Sequence, residues 1–393
     1  MSNCYFLVDN ILQTPYSGLT FDLPGDKNHR PFDYMFGHYD DFTYSNFYHI
    51  NHLNFLDKDT KKFILNIVHM PEWVTLQPSK KTLKLLRNDP NVFYCLVSVT
   101  ECIIKPKELR REIDKHKIPI DKVIVLCCDL EAHNKTLEGI KYISINFWES
   151  LSRHQHKTLP HVSLTHPDEF DVDKASKKFL CLNRNIKPHR IWLMYSILRS
   201  NIINEGYVSY NLPEVDSTEH DACAKSHHTL KRIPEELHSD FKMALVREMY
   251  NRKLDVLNKV EVINYGNSIK SYYNDSILSV ITESDSHKNF ITEKTYKAIM
   301  NLHPFFIVGN PEQHSLLRAR GYETFEELFG VSVVSDYTQA MKLWHNIKNT
   351  RIDLLKTKIK NEYFDKLIHN QKLFLSRKIS WNTIVDSIVE LVN

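Results

Sequence analysis

The sequence predicts an α/β protein of two domains, each a parallel sheet flanked by helices, facing each other across a cleft. Three observations carry this reading. The chain has 393 residues, more than a single hydrophobic core usually organises. Short β-branched or aromatic runs alternate with helix-period segments, the pattern of βα units. The alternation breaks once, from about Ser150 to Lys174, and then resumes.

Taken in order, the first sixty residues are rich in aromatics, Asp, Asn and His, as in Phe32-Asp33-Tyr34-Met35-Phe36-Gly37-His38. Their weak periodicity predicts a strand or two with long functional loops. Strands are expected at Phe63–His69, Val92–Val99, Val123–Leu130 and Tyr142–Phe147, with helices at Ser79–Arg87 and Pro106–Lys117. The segment from Ser150 to Lys174 holds Pro160, Pro167 and four histidines, and is expected to be a linker. The second series has strands at Lys178–Asn183, Gly206–Tyr210, Ile277–Thr282 and Pro304–Val308. Its helices are Pro188–Ser200, with Ile191, Met194, Tyr195 and Leu198 on one face, then Thr292–Met300 and Pro311–Ala319. Residues 211–239 read as an irregular insertion, and helix resumes from about Thr338. The expected domains are 1–173 and 174–378, with a terminal helix in 379–393 packing back on the first domain.

Composition narrows the function. Apolar residues make up 42% and charged residues 25%, an ordinary globular balance. The net charge of +3 permits a polyanionic partner without requiring one. Nine glycines in the whole chain leave little room for a glycine-rich phosphate loop, which disfavours a nucleotide-dependent kinase or ligase. Seven scattered cysteines predict reduced core thiols rather than a disulfide framework. No basic-then-apolar leader and no span of membrane length is visible, so the expected location is the cytoplasm.

In open parallel sheets, ligands bind beyond the carboxyl ends of the strands, and the candidate chemistry falls there. Ser279-Val280-Ile281-Thr282-Glu283-Ser284 leads to Phe290-Ile291-Thr292-Glu293-Lys294-Thr295 and then to His303-Pro304-Phe305-Phe306-Ile307-Val308-Gly309. Thr292 is a good N-cap, which puts Glu293 and Lys294 in the first helical turn. The positive end of a helix with an added ammonium suits a diphosphate, and a carboxylate there suits ribose hydroxyls. A capped core helix carrying a solvated Glu–Lys pair is the plain alternative. A second piece, Lys178 to Arg190, runs a strand into an Asn- and Arg-rich loop and a helix start. Arg184 and Arg190 are its candidates, because a guanidinium fork grips two phosphate oxygens and stays charged.

These two pieces resemble the donor-binding region of GT-B glycosyltransferases, notably the α1,3-fucosyltransferase group, over about residues 177–330. The segment Pro311 to Phe325 is similar to the stretch downstream of that region in phage and bacterial relatives. The resemblance implies a GT-B fold, two Rossmann-like α/β domains, and a nucleotide-sugar donor held by Arg184, Arg190, Glu283, Ser284, Thr292, Glu293 and Lys294. It leaves the sugar open, since Ile281-Thr282-Glu283-Ser284-Asp285 departs from the Asn and aromatics of the fucosyltransferase pattern.

An inverting transferase needs a base in the first domain to take the acceptor proton. Glu72 is the first candidate and His69 the second, in His69-Met70-Pro71-Glu72-Trp73 after a strand. Asp33, His38 and Asp129 are rivals, and for each residue a structural role stands as the alternative. The only metal-like spacing is His220-x-x-Cys223-x-x-x-His227-His228, which lacks a paired cluster. No metal and no cofactor is therefore expected. The Lys-, Asn- and Ile-rich composition is similar to that of tailed-phage proteins, which would place the chain in the host cytoplasm. One acceptor this allows is a hydroxymethylated cytosine of phage DNA, flipped from its stack and held by basic stretches such as Arg351 to Lys378. A saccharide acceptor, or a module that binds a nucleotide sugar or nucleic acid without catalysis, are the other readings.

Overall fold

The computed structural model describes residues 4–8, 39–43, 45–67, 76, 78–98, 106–158, 164–183, 187–210, 227–247, 267–284 and 289–393. Two compact units divide the chain: Met1–His154 with Lys378–Asn393, and Gln155–Arg377.

The first unit contains β1 (Cys4–Val8), β2 (Phe47–His49), β3 (Lys61–Ile67), β4 (Val92–Ser98), β5 (Val123–Cys127), β6 (Thr136–Leu137) and β7 (Ile140–Ser144). The sheet order is β2-β1-β3-β4-β5-β7-β6. Every pairing is parallel except the β6–β7 hairpin, whose Glu138-Gly139 turn has φ of 51° and 80°. Paired positive φ values match the twist of a two-residue hairpin, and glycine takes one of them without strain. β4 and β5 are buried along their whole length. Strands covered on both faces read as continuous apolar runs, which is why the sequence marks them so clearly. Helices α1 (Lys80–Asn88) and α2 (Pro106–Lys115) give Leu86, Leu109 and Ile113 to a core shared with Ile64, Tyr94, Leu96 and Val125.

The break expected at Ser150 is not where regular structure stops. Helix α3 (Phe147–Thr158) runs through it. Its buried side includes Glu149, Ser150, Ser152 and Arg153, so polar composition concealed a packed helix. Arg153, 2% exposed, is tolerated because its Nη2 meets Asp40 at 2.8 Å.

The second unit holds β8 (Lys177–Asn183), β9 (Gly206–Tyr210), β10 (Ser276–Thr282) and β11 (Phe305–Val308) in the order β11-β10-β8-β9, all parallel. The chain leaves β8 on one side to form β9 and returns on the other to form β10. The carboxyl ends of β8 and β10 therefore flank a topological switch point, where open α/β sheets bind ligands. Gly206 is required where β9 begins, because a Cβ there would lie 2.5 Å from the Phe179 ring.

Its helices include α4 (Pro188–Arg199), α5 (Asn267–Asn274), α6 (Glu293–Met300), α7 (Glu312–Ala319), α8 (Tyr337–Asn349) and α9 (Phe364–Ser376). Helix α4 corrects the expectation of a single apolar face: every residue from His189 to Ile197 is buried. Trp192, Leu193 and Ser196, off the expected face, are buried too, and Ser196 accepts from the Trp344 indole at 2.8 Å, so an element outside the sheet covers that side.

The terminal helix α10 (Trp381–Glu390) belongs to the first unit. The Asp41 carboxylate accepts from the Ser380 hydroxyl and the Asn382 amide and also from the Trp381 backbone N–H. The Trp381 ring, 4% exposed, lies 5.4 Å from Phe6 and 5.6 Å from Phe42 between centroids.

Candidate functional site

The site forms where β10 gives way to α6, beside the end of β8. The switch point is pinned directly: Thr282, the last residue of β10, donates its hydroxyl to the Asn183 side chain at the end of β8. Asn183 also takes a 3.1 Å bond from its backbone N–H to the Ser209 hydroxyl. All three groups are buried, and each is satisfied by a partner at the same edge.

Glu283 follows Thr282 and is fully buried. Its carboxylate does not face solvent. Oε1 accepts from the Thr292 N–H at 3.1 Å and from the Thr295 hydroxyl at 2.6 Å, and Oε2 accepts from the Thr292 hydroxyl. Its backbone carbonyl is gripped from α4: His189 Nε2 lies at 2.9 Å and Arg190 Nη2 at 3.4 Å. Arg190 Nη2 also donates to the Thr282 carbonyl at 3.3 Å. Arg190 is 3% exposed, so this guanidinium serves as a brace and as a fixed buried charge.

Helix α6 starts as its sequence dictates. Thr292 is extended, with φ −107°, and its hydroxyl oxygen accepts from the Lys294 N–H. The Lys294 ammonium donates to Ser284 Oγ at 3.2 Å, Thr292 Oγ1 at 3.0 Å and Glu293 Oε1 at 3.1 Å. Burial opposes ionisation of Glu293, yet the ammoniums of Lys294 and Lys297 hold its carboxyl down at about 2. Burial pushes Lys297 down to about 8, against the pull of Glu293. Glu293 and Lys294 keep 20% and 25% of their side chains exposed. The pair is thus reachable from solvent and partly screened by it.

Of the residues the sequence singled out, the structure brings Arg190, Glu283, Ser284, Thr292, Glu293 and Lys294 into one connected network. Arg184, Asp33, His38, His69, Glu72, His220 and Cys223 lie outside the described residues. Asp129 is buried, and its Oδ1 accepts from the Glu131 N–H at 3.2 Å, capping a short helical turn. Sequence reasoning missed Asn183, His189, Thr295 and Lys297. Asn183 was visible as the polar end of an apolar strand and His189 as the neighbour of Arg190. Thr295 and Lys297 carried no signal beyond helical spacing from Thr292 and Glu293.

Among the described residues no group of three or more His, Cys, Asp or Glu side chains could hold a metal, and no helix is long and apolar enough to cross a membrane. Cys4, Cys95, Cys127, Cys128 and Cys181 are buried and in no disulfide, and burial pushes the Cys4 and Cys181 thiols up to about 12.

Beneath the site, His303 links β10 to the turn before β11. Its Nε2–H donates to the Ser276 carbonyl at 2.7 Å, and Nδ1 accepts from the Ser279 hydroxyl at 2.6 Å, the neutral tautomer these partners select. Burial lowers its pKa from 6.5 to about 4, against the Ser276 carbonyl, which raises it. The unfolded chain therefore binds the proton first. This histidine's contribution to stability is complete above about pH 6.5 and is lost as pH falls toward 4. Between pH 7 and pH 5 the second unit should lose about 2 kcal/mol through this group. His303→Gln should flatten that slope in urea titrations at the two pH values; an unchanged slope refutes the assignment.

No family model matches the chain, and no curated protein matches it. Among solved structures it is similar to an α1,3-fucosyltransferase, at 10% identity and a TM-score of 0.44, covering 100% of this chain and 90% of that one. It is also similar to a UDP-forming α,α-trehalose-phosphate synthase from Burkholderia xenovorans, at 10% identity and a TM-score of 0.39, covering 87% and 76%. A third likeness is to an α,α-trehalose 6-phosphate synthase from Burkholderia multivorans, at 11% identity and a TM-score of 0.37, covering 86% and 72%. At these identities and scores, function has to be argued from the chain's own residues.

Proposed function

We propose that this protein is a glycosyltransferase that takes a sugar from a nucleotide-sugar donor bound at the carboxyl ends of β8 and β10. The observation that carries the reading is the network at the start of α6. A partly exposed ammonium, Lys294, lies at the positive end of a capped helix, against the ionised Glu293. The buried guanidinium of Arg190 braces the preceding loop. A nucleoside diphosphate leaving from a sugar accumulates negative charge, and fixed cations with a helix N-terminus stabilise it without reorganisation. Ser284 and Glu293 supply polar partners for ribose or sugar hydroxyls. Catalysis in this scheme needs no metal.

The proton of the acceptor hydroxyl would go to Glu72, with His69 and Asp33 as its rivals. Glu72 and His69 follow β3 in the chain, and Asp33 lies in the segment after β1. The carboxyl ends of β1 and β3 flank the switch point of the first sheet, which is the reason to keep these residues. For the acceptor we favour a saccharide hydroxyl. The basic C-terminal stretch that could follow a phosphate backbone is largely engaged within the chain. Arg351 meets Asp353, Lys356 the Asp173 carbonyl, Lys360 the Asp173 carboxylate, Lys366 Glu327, and Arg377 the Arg320 carbonyl.

The test is a thermal-shift panel of UDP-, GDP-, CMP- and dTDP-sugars, followed by a transfer assay with the one that binds. A donor at a hundredfold excess over its Kd should stabilise the fold by roughly 2.7 kcal/mol. Glu72→Gln should then slow transfer by about 10²- to 10⁴-fold while nucleotide binding stays unchanged. Binding without any transfer to saccharides or DNA would indicate a non-catalytic module, and no binding at all would remove the donor-site reading.

A further inference from the structure

We infer that Glu283 is a positioning residue, which joins two helix starts and sets where Lys294 stands, and does not itself contact the donor. This rests on the donor-site reading above and departs from the role that the sequence resemblance implies for Glu283. Both ends of the residue are occupied. Its carboxylate takes the Thr292 N–H, the Thr292 hydroxyl and the Thr295 hydroxyl, all from the first turn of α6 or its cap. Its carbonyl takes His189 Nε2 and Arg190 Nη2 from the first turn of α4. Its side chain is 0% exposed, and three bonds onto one carboxylate leave it little capacity for a ligand.

The consequence passes along a short chain of contacts. The Thr292 hydroxyl donates to Glu283 and its oxygen receives both the backbone N–H and the ammonium of Lys294. Glu283 thus orients the cap, and the cap orients the cation that the donor's phosphates would meet. The buried negative charge is tolerated because hydrogen-bond donors converge on it. A shorter acid could not reach both threonines, whereas a glutamine keeps an oxygen where Oε1 accepts the Thr292 N–H and the Thr295 hydroxyl and, with its amide at the Oε2 position, holds the Thr292 hydroxyl by a reversed bond in which the amide donates and the Thr292 oxygen accepts.

Two variants therefore separate positioning from direct electrostatic contact, because one keeps the reach and the other keeps the charge. Isothermal titration with UDP, GDP, CMP and dTDP is the readout. Glu283→Gln should bind within about threefold of the wild type, and Glu283→Asp should bind about tenfold more weakly. In the double variant, Glu283→Asp should weaken Lys294→Ala by no more than about threefold, since coupled residues do not add. The opposite ranking, with Asp tolerated and Gln damaging, overturns the inference, as does full additivity with Lys294→Ala. Amide exchange supplies a readout free of any ligand: the Lys294 N–H should exchange about tenfold faster in Glu283→Asp and at the wild-type rate in Glu283→Gln. Equal exchange in all three proteins sinks the inference even if nucleotides bind. If none of UDP, GDP, CMP and dTDP binds the wild type, the donor-site reading falls, and the exchange rates alone decide whether Glu283 holds the start of α6.

Discussion

Replacing Trp381 with alanine is expected to remove about 3–5 kcal/mol from the first unit, the range for truncating a large buried aromatic. The ring is 4% exposed and sits among Phe6, Tyr39, Phe42 and Phe47, at centroid distances of 5.4, 6.0, 5.6 and 6.2 Å. These partners come from β1, β2 and the residues just before β2, so the indole is what the final helix contributes to that core. Such a loss is a large share of the roughly 5–15 kcal/mol that stabilises a domain. Asp41→Ala should cost less, about 1–2 kcal/mol, because it removes the carboxylate that accepts from the Trp381 N–H and the Ser380 and Asn382 side chains at the start of the same helix, and leaves the Ser380 cap and the ring in place. Urea unfolding of the full chain checks both. The two units need not unfold together, so the transition to follow is the one that Trp381→Ala moves. A midpoint shifted by less than about 1 kcal/mol in Trp381→Ala would show that the ring is not a keystone of that core.

Nucleotide affinity should fall by about tenfold to a hundredfold in Lys294→Ala, the equivalent of losing one charge-assisted hydrogen bond to a phosphate. The fold should tolerate the change. The ammonium is partly exposed, so its partly buried bonds to Ser284, Thr292 and Glu293 are screened by solvent and each is worth little. The stabilisation by the best nucleotide sugar would then largely disappear at a concentration that saturates the wild type. Lys294→Arg should restore part of it, since the charge remains while the geometry of the head group changes. If Lys294→Ala binds the nucleotide as the wild type does, the network at the start of α6 is a structural cap and the donor must lie elsewhere.

Much of the fold was legible because both sheets are built from interior parallel strands. The runs Val92–Val99, Val123–Leu130, Lys178–Asn183 and Ile277–Thr282 are mostly apolar, as strands covered on two faces demand, and each contains a strand at that place. Caps were legible for a related reason. Thr292 has a side chain that can replace the missing partner of a first-turn N–H, and it does so; Ser79, read as the first helical residue, is the N-cap of its helix. Less legible was α3, whose buried side carries Glu149, Ser150, Ser152 and Arg153 in place of an apolar stripe. The same holds for the all-round burial of α4, since periodicity reports the face a helix must hide, not what a third layer later covers.

The sequence by itself determined the two series of parallel strands, the helix starts at Ser79 and Thr292, and the residues that gather at the end of β10. These stem from local rules: side-chain periodicity, capping and the need to bury apolar runs. Only the tertiary structure decided what the gathered residues do. Glu283 and Lys294 are both charged residues near one helix start, and local rules treat them alike. Packing buried one completely and turned its carboxylate onto two threonines, while the other kept a quarter of its side chain in water. The fate of a charge depends on which groups from distant parts of the chain converge on it, and that convergence is set by how the strands are ordered in the sheet.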